Sequence, residues 1–210
     1  MAREYIQNNI IPIYNKFDKA HDISHVRQVI ENSAVIARGY PIDPDMVYTI
    51  AAYHDVGLLK GRKDHEKNSA AFLLADKNIR EYFDDEQMII MAEAIEDHRA
   101  SCVNPPRSIY GKIVADADND LDYNRVLTRC LWYGLVQFPE YDKDTHFERI
   151  MEHMHEKYGH DGYLKIFLNS DKDVCSLQMI RDKLDSPAEM RADFNSIWAM
   201  RYGSRRTKLD

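Results

Sequence analysis

Apolar residues recur at helical spacing through nearly all of this 210-residue chain, and no segment alternates convincingly as a strand. Only 8 glycines and 7 prolines punctuate it. The chain is therefore expected to be all-α, without internal repeats. In the stretch Ala51-Ala52-Tyr53-His54-Asp55-Val56-Gly57-Leu58, one helical face is marked by Val47, Ile50, Ala51 and His54 at i, i+3, i+4 and i+7. That face points to the core and carries His54 inward, with Asp55 beside it and Gly57 as a stop signal. A buried imidazole next to a buried carboxylate is costly unless something pairs with both. A metal ion is one such partner.

Taken in order, the chain reads as a first helix over about 3–17, with Ile6, Ile10, Ile13 and Phe17 on one face. Asp22 or Ser24 caps a second helix that runs through Arg38 and stops at Gly39 and Pro41. A third starts near Pro44 and ends at His54-Asp55, followed by the polar loop Gly61-Arg62-Lys63-Asp64. Helices follow from about His65 to Ala75 and from Asp84 to about His98, then a loop from Arg99 to Arg107. Another helix runs from about Ser108 through Asp116-Ala117-Asp118-Asn119-Asp120-Leu121-Asp122. The remainder, to about Tyr202, reads as helices broken near Pro139, Gly159–Gly162 and Pro187, before a basic tail at 203–208. The expected organisation is one domain over 1–210, with a motif-bearing core at about 20–125 and a helical extension over about 126–204.

The formal charge of −7 argues against general binding to nucleic acid backbones. Cys102, Cys130 and Cys175 are far apart and odd in number, so they suggest neither a disulfide framework nor a Cys-rich metal site. There is no apolar signal run at the start and no stretch of membrane-spanning length, so the protein is expected to be cytoplasmic with no membrane partner. The pattern says nothing of oligomeric state.

Three His-Asp pairs occur, His21-Asp22, His54-Asp55 and His160-Asp161, and only the middle one closes a strongly apolar run. His25 shares a helical face with Val29 and Ile36, and His98 ends the stripe Met88, Met91, Ile95. Asp118 lies one turn from Val114 and Leu121, whereas Asp116 and Asp120 are rotated away; Asp122, one turn further on, is a rival. His25, His54, Asp55 and Asp118 form a mixed nitrogen and oxygen set suited to Mn, Fe, Ni, Co or Zn, with Mg also admissible. Such a set leaves positions for water and substrate, and a bound ion makes water nucleophilic near neutral pH. His65 and His98 are too many imidazoles for one ion; they serve a second ion, hold the attacking water, or protonate a leaving oxygen. The plainer alternatives are a core hydrogen-bonding role for His98, a surface role for His65, and for His21 the orientation of the chain before the second helix. His146, His153, His155 and His160 read as solvated surface.

These segments resemble the HD-domain superfamily of metal-dependent phosphohydrolases, and most of all its small bacterial members of unassigned substrate. The matching pieces are Ala20-His21-Asp22-Ile23-Ser24-His25-Val26-Arg27, Ala51 to Gly57, His65-Glu66-Lys67-Asn68-Ser69-Ala70, Ala94-Ile95-Glu96-Asp97-His98-Arg99, and Gly111 to Asp118. In the family the second aspartate of an Asp-x-Asp piece is a ligand, which is Asp118 here. Two departures stand out: an extra residue separates Asp118 from Leu121-Asp122, and Asp97-His98 replaces a frequent His-His.

The resemblance implies an all-helical bundle with additional C-terminal helices, which are expected to cap or shape the pocket. It implies hydrolysis of a phosphate ester of a nucleotide or other small phosphorylated metabolite. One ion is expected, with a second as an option. Asp55, His65 and His98 are the expected catalytic groups. Cationic side chains must offset transition-state charge; Arg27, Arg99 and Lys112 are favoured over Lys60, Arg62, Lys63 and Arg107. The competing readings are a di-iron oxygenase using His65, His98 and a bridging Asp55, a non-catalytic nucleotide-binding module, and a helical protein without metal.

Overall fold

The computed structural model describes residues 1–18, 20–102, 104–168 and 171–202, with ten α-helices and no strand among them. The all-α expectation therefore holds. The basic tail lies outside the described residues. The chain divides into two compact units, 1–119 and 120–210, where the sequence suggested one domain with its core ending near 125.

In the first unit the α-helices are α1 (Ala2–Asn9), α2 (Ile23–Ala37), α3 (Pro44–Tyr53), α4 (His65–Ala75), α5 (Asp85–Asp97) and α6 (Ile109–Asp118), with 3-10 segments at Ile11–Lys16, Val56–Lys60 and Ile79–Glu81. Side-chain caps set most helix starts. The Asp22 carboxylate accepts from the Ser24 and His25 N–H groups, and Asp43 caps α3, whose first residue is Pro44. Asp84 and Gln87 form a reciprocal capping box, and Ser108 Oγ accepts from Gly111 N–H. Helix α2 packs on α3 and α6, and α5 on α3, α4 and α6. Their shared interior holds the fully buried Ile6, Ile50, Tyr53, Leu73, Met88, Met91 and Ile95.

Two expected helices are shorter than the sequence suggested. The first stops at Asn9 and continues only as a 3-10 segment. Pro12 lacks an N–H, and its ring would collide with the preceding turn of an α-helix. Helix α6 stops at Asp118, because Asn119 turns extended at ψ 118°. Asp122 instead caps the next helix by accepting from Arg125 N–H, and Asp120 is taken by Arg125 and Arg129. Neither is left as a rival to Asp118.

The second unit holds α7 (Tyr123–Gln137), α8 (Lys143–Tyr158), α9 (Asp171–Leu184) and α10 (Pro187–Tyr202) around Leu127, Leu131, Ile150, Met154, Ile180, Met190 and Phe194. The sequence reading of His146 as solvated surface is corrected here: His146 is fully buried. It shares a stripe with Ile150, Met154 and Tyr158, each four positions on, and its ring lies 5.7 Å from that of Tyr141 and 6.0 Å from that of Trp198. Charged neighbours on α8 masked the stripe in the sequence. His155 and His160 are exposed, and His153 is half-buried.

Among the described residues, neither His146 ring nitrogen has a hydrogen-bond partner. Burial, reinforced by the Arg149 cation, pushes its pKa below the usual value. The unfolded chain then binds the proton better than the folded one. This contribution is complete above the unfolded value, about pH 6.5, and is lost as the pH falls below it. The urea midpoint of the second unit is expected to drop between about pH 7.5 and about pH 5.5, and to drop less in His146→Leu. Equal slopes in the two proteins would contradict this.

Candidate metal centre

The His54-Asp55 pair sits where α3 gives out. His54 is still helical, but Asp55 turns to φ −111°, ψ 3°, and the chain tightens into the Val56–Lys60 segment. The last turn would leave polar backbone atoms exposed to an apolar interior. Tyr14, fully buried, supplies the remedy. Its hydroxyl donates to the Ala52 carbonyl at 3.0 Å and accepts from Asp55 N–H at 3.3 Å. Next door, Tyr53 donates to the Asp76 carboxylate at 2.8 Å, which also receives Tyr5 at 2.9 Å. Tyr14→Phe is expected to orphan both groups at the helix end and cost about 1–3 kcal/mol, read as a lower urea midpoint. An unchanged midpoint would show that the hydroxyl does not hold this turn.

Three imidazoles are oriented by one repeated device. His54 Nδ1 lies 2.7 Å from the Ala51 carbonyl, His65 Nδ1 3.1 Å from the Arg62 carbonyl, and His98 Nδ1 2.6 Å from the Ile95 carbonyl. In each case the partner is three residues back. A carbonyl only accepts, so Nδ1 carries the hydrogen and Nε2 presents a lone pair. All three Nε2 atoms face Asp55. Its Oδ2 lies 3.3 Å from His54 Nε2 and 3.7 Å from His25 Nε2. Its Oδ1 lies 3.3 Å from His65 Nε2 and 3.6 Å from His98 Nε2. Asp118, at the end of α6, brings Oδ1 within 3.2 Å of His25 Nε2 and 3.7 Å of His54 Nε2.

The four expected ligands thus meet. His25 Nε2 and His54 Nε2 stand 3.2 Å apart, two nitrogens facing each other between two carboxylates. Donors about 2.1 Å from a shared ion stand about 3.0–3.4 Å apart in octahedral or tetrahedral arrangements. The observed separations, 3.2 to 3.7 Å, lie at or slightly beyond that range. Acceptor atoms crowded this closely require positive charge among them. Burial alone would push the His25 pKa down, yet its bonds to Asp118 and Asp55 hold it up to about 10. His54 is raised as well, burial being outweighed by the Asp55 charge, while the Asp55 and Asp118 carboxyls are held below the usual range by these imidazoles despite burial. Two sets of donors among the described residues fit a metal ion: His25, His54 and Asp55, and Asp55, His65 and His98. Asp55 belongs to both and turns one oxygen to each.

His54, Asp55 and His98 are fully buried, whereas the side chains of His25, His65 and Asp118 are 14%, 14% and 25% exposed. Among the other expected residues, Arg99 reaches the edge of the second set, with its guanidinium 3.6 Å from Glu66 Oε2. Arg27 is exposed on α2, and Lys112 is half-buried on α6. No hydrogen bond or ion pair among the described residues ties either of them to the cluster. Arg107 is taken up by Asp97 and Glu96, so the Asp97 that stands in place of a second histidine has its own partner. Tyr14 and Glu66 were not singled out in the sequence. Tyr14 had a weak signal, because it lies one turn past Ile10 and its polar tip would need a buried partner.

A helical domain whose His and Asp donors converge at the end of one helix is the class that this geometry defines. Residues 22–121 match the family profile of the HD domain. An HD domain thus fills 100 of the 210 residues of this chain. The chain is also similar to the crystal structure of a predicted HD superfamily hydrolase from an uncultured Thermotogales bacterium. The two are 25% identical over 71% of this chain and 83% of that one, and the TM-score of 0.47 is too low to add to the assignment. No curated protein matches the sequence. No helix among the described residues is long and apolar enough to cross a membrane.

Proposed function

We propose that this chain is a metal-dependent phosphohydrolase acting on a phosphate ester of a nucleotide or other small phosphorylated metabolite. The observation that supports this reading is the convergence of His25, His54, Asp55 and Asp118 on one point, two imidazole nitrogens and two carboxylates at mutual distances that suit a shared cation. These four residues would hold a divalent transition metal: Mn, Fe, Ni, Co or Zn, or else Mg. When bound, the ion supplies Lewis acidity toward a phosphoryl oxygen and toward water. The chain does the rest. Asp55 orients donors on both of its sides, and the buried walls around His54 and His98 exclude bulk water. His65 and His98, beside Asp55 Oδ1, are placed to hold the attacking water, to give a proton to the leaving oxygen, or to take a second ion. Among Arg27, Arg99 and Lys112, Arg99 pairs with Glu66 beside His65 and is the leading contact for a substrate phosphate.

The test is a screen of nucleotides and small phosphorylated metabolites against protein loaded in turn with Mn, Ni, Co, Mg or Fe. Release of phosphate or of a nucleotide product that depends on the ion is expected. A protein that retains no metal and turns over none of these compounds would sink the proposal. A second reading, oxidation at a di-iron centre, draws on the split of Asp55 between two sets of donors. Iron content with oxygen-dependent turnover, and no phosphate release, would favour it.

A further inference from the structure

Behind the second set of donors lies a carboxylate with no evident purpose in packing. Glu66 is buried at 8% exposure, and its Oε2 is shut off from solvent without a hydrogen-bond partner among the described residues. A buried carboxylate left so is expensive unless it works against a positive charge. Its two near neighbours are His65 Nδ1 at 3.4 Å and the Arg99 guanidinium at 3.6 Å. His65 Nδ1 already leans on the Arg62 carbonyl, so its hydrogen lies between one neutral and one charged acceptor. On the far side of the same ring, Nε2 faces Asp55 Oδ1 at 3.3 Å. The order Arg99, Glu66, His65, Asp55 thus runs from the half-exposed rim to the centre.

We propose that Glu66 is a positioning residue for the second set of donors: its carboxylate, held by Arg99, backs the His65 ring so that Nε2 serves Asp55's outer oxygen as an ion ligand. This rests on the metal-centre reading above and deepens it. A carboxylate behind a ligating imidazole fixes the ring and makes it a better donor. As His65 draws positive charge through Nε2, its Nδ1–H becomes a stronger donor, and the 3.4 Å approach to Glu66 can close into a charge-assisted bond. Arg99 offsets the charge of Glu66 while a second ion is absent. The role needs no proton to leave or join Glu66.

The experiment is a Mn2+ titration of the full chain followed by calorimetry and metal analysis, comparing wild type with Glu66→Gln and Glu66→Ala. Circular dichroism confirms folding in each case. Wild type is expected to bind two ions. In Glu66→Gln the ion shared by His25, His54 and Asp118 is expected to keep its affinity, while the other weakens by about 10–100-fold. A merely structural role for Glu66 would weaken both ions together or neither. Two ions of unchanged affinity in both variants, or equal losses at both, would overturn the inference. Wild type binding a single ion would also overturn it while leaving the hydrolase reading intact. Wild type binding none would end both.

Discussion

Replacing Asp55 by alanine is expected to strip metal from the protein entirely and abolish hydrolysis. Each oxygen of this carboxylate faces a different pair of imidazoles, so no neighbour can substitute for it. Loss of an outer-shell partner typically weakens a metal site by about 10–100-fold, and loss of a donor common to both sets should exceed that. The stability that a bound ion lends would go too, about 2.7 kcal/mol for an ion present at a hundred times its dissociation constant. His54→Ala is expected to act in the same direction, but through the His25 and Asp118 side first. Metal analysis after purification in Mn2+-supplemented buffer, paired with melting curves with and without the ion, provides the check. Metal content equal to wild type in both variants would refute the proposed centre.

The second large effect is expected at Gly57. A Cβ there would stand 2.1 Å from the His65 carbonyl oxygen, 2.5 Å from Ser69 N and 2.8 Å from Asn68 Cβ. Two of these are backbone atoms of α4, which cannot swing aside as a side chain tip does. Gly57 N–H also donates to Ser69 Oγ at 2.8 Å, so the contact is bonded as well as tight. Overpacking typically costs about 1–3 kcal/mol, and a clash with backbone should lie at or above the top of that range. The displacement would act on function as well, because α4 begins at His65 and is pressed against the segment that follows Asp55. Gly57→Ala is therefore expected to lower the urea midpoint and to weaken the donor set of Asp55, His65 and His98 more than that of His25, His54 and Asp118. A variant as stable as wild type would show that the two segments are free to separate.

Much of the fold could be read along the chain. Helix α4 spans the residues that periodicity assigned, His65 to Ala75, and α2 lies within a residue or so of its expected bounds. Asp22, Asp84 and Ser108 announced helix starts, because capping is a bond between residues two or three positions apart. The inward faces of His25, His54, His98 and Asp118 followed from helical spacing for the same reason. Pro12 was a readable breaker that the apolar stripe around it concealed.

What lies across from each face was decided by tertiary structure alone. Helical period states which side of a helix a residue occupies, but not the residue that meets it from a segment forty positions away. The hydroxyl of Tyr14 closing the end of α3, Gly57 against the backbone of α4, and Glu66 behind His65 all depend on such meetings. So does the division of Asp55 between two sets of imidazoles, which only the three-dimensional approach of α2, α4 and α5 to the end of α3 brings about.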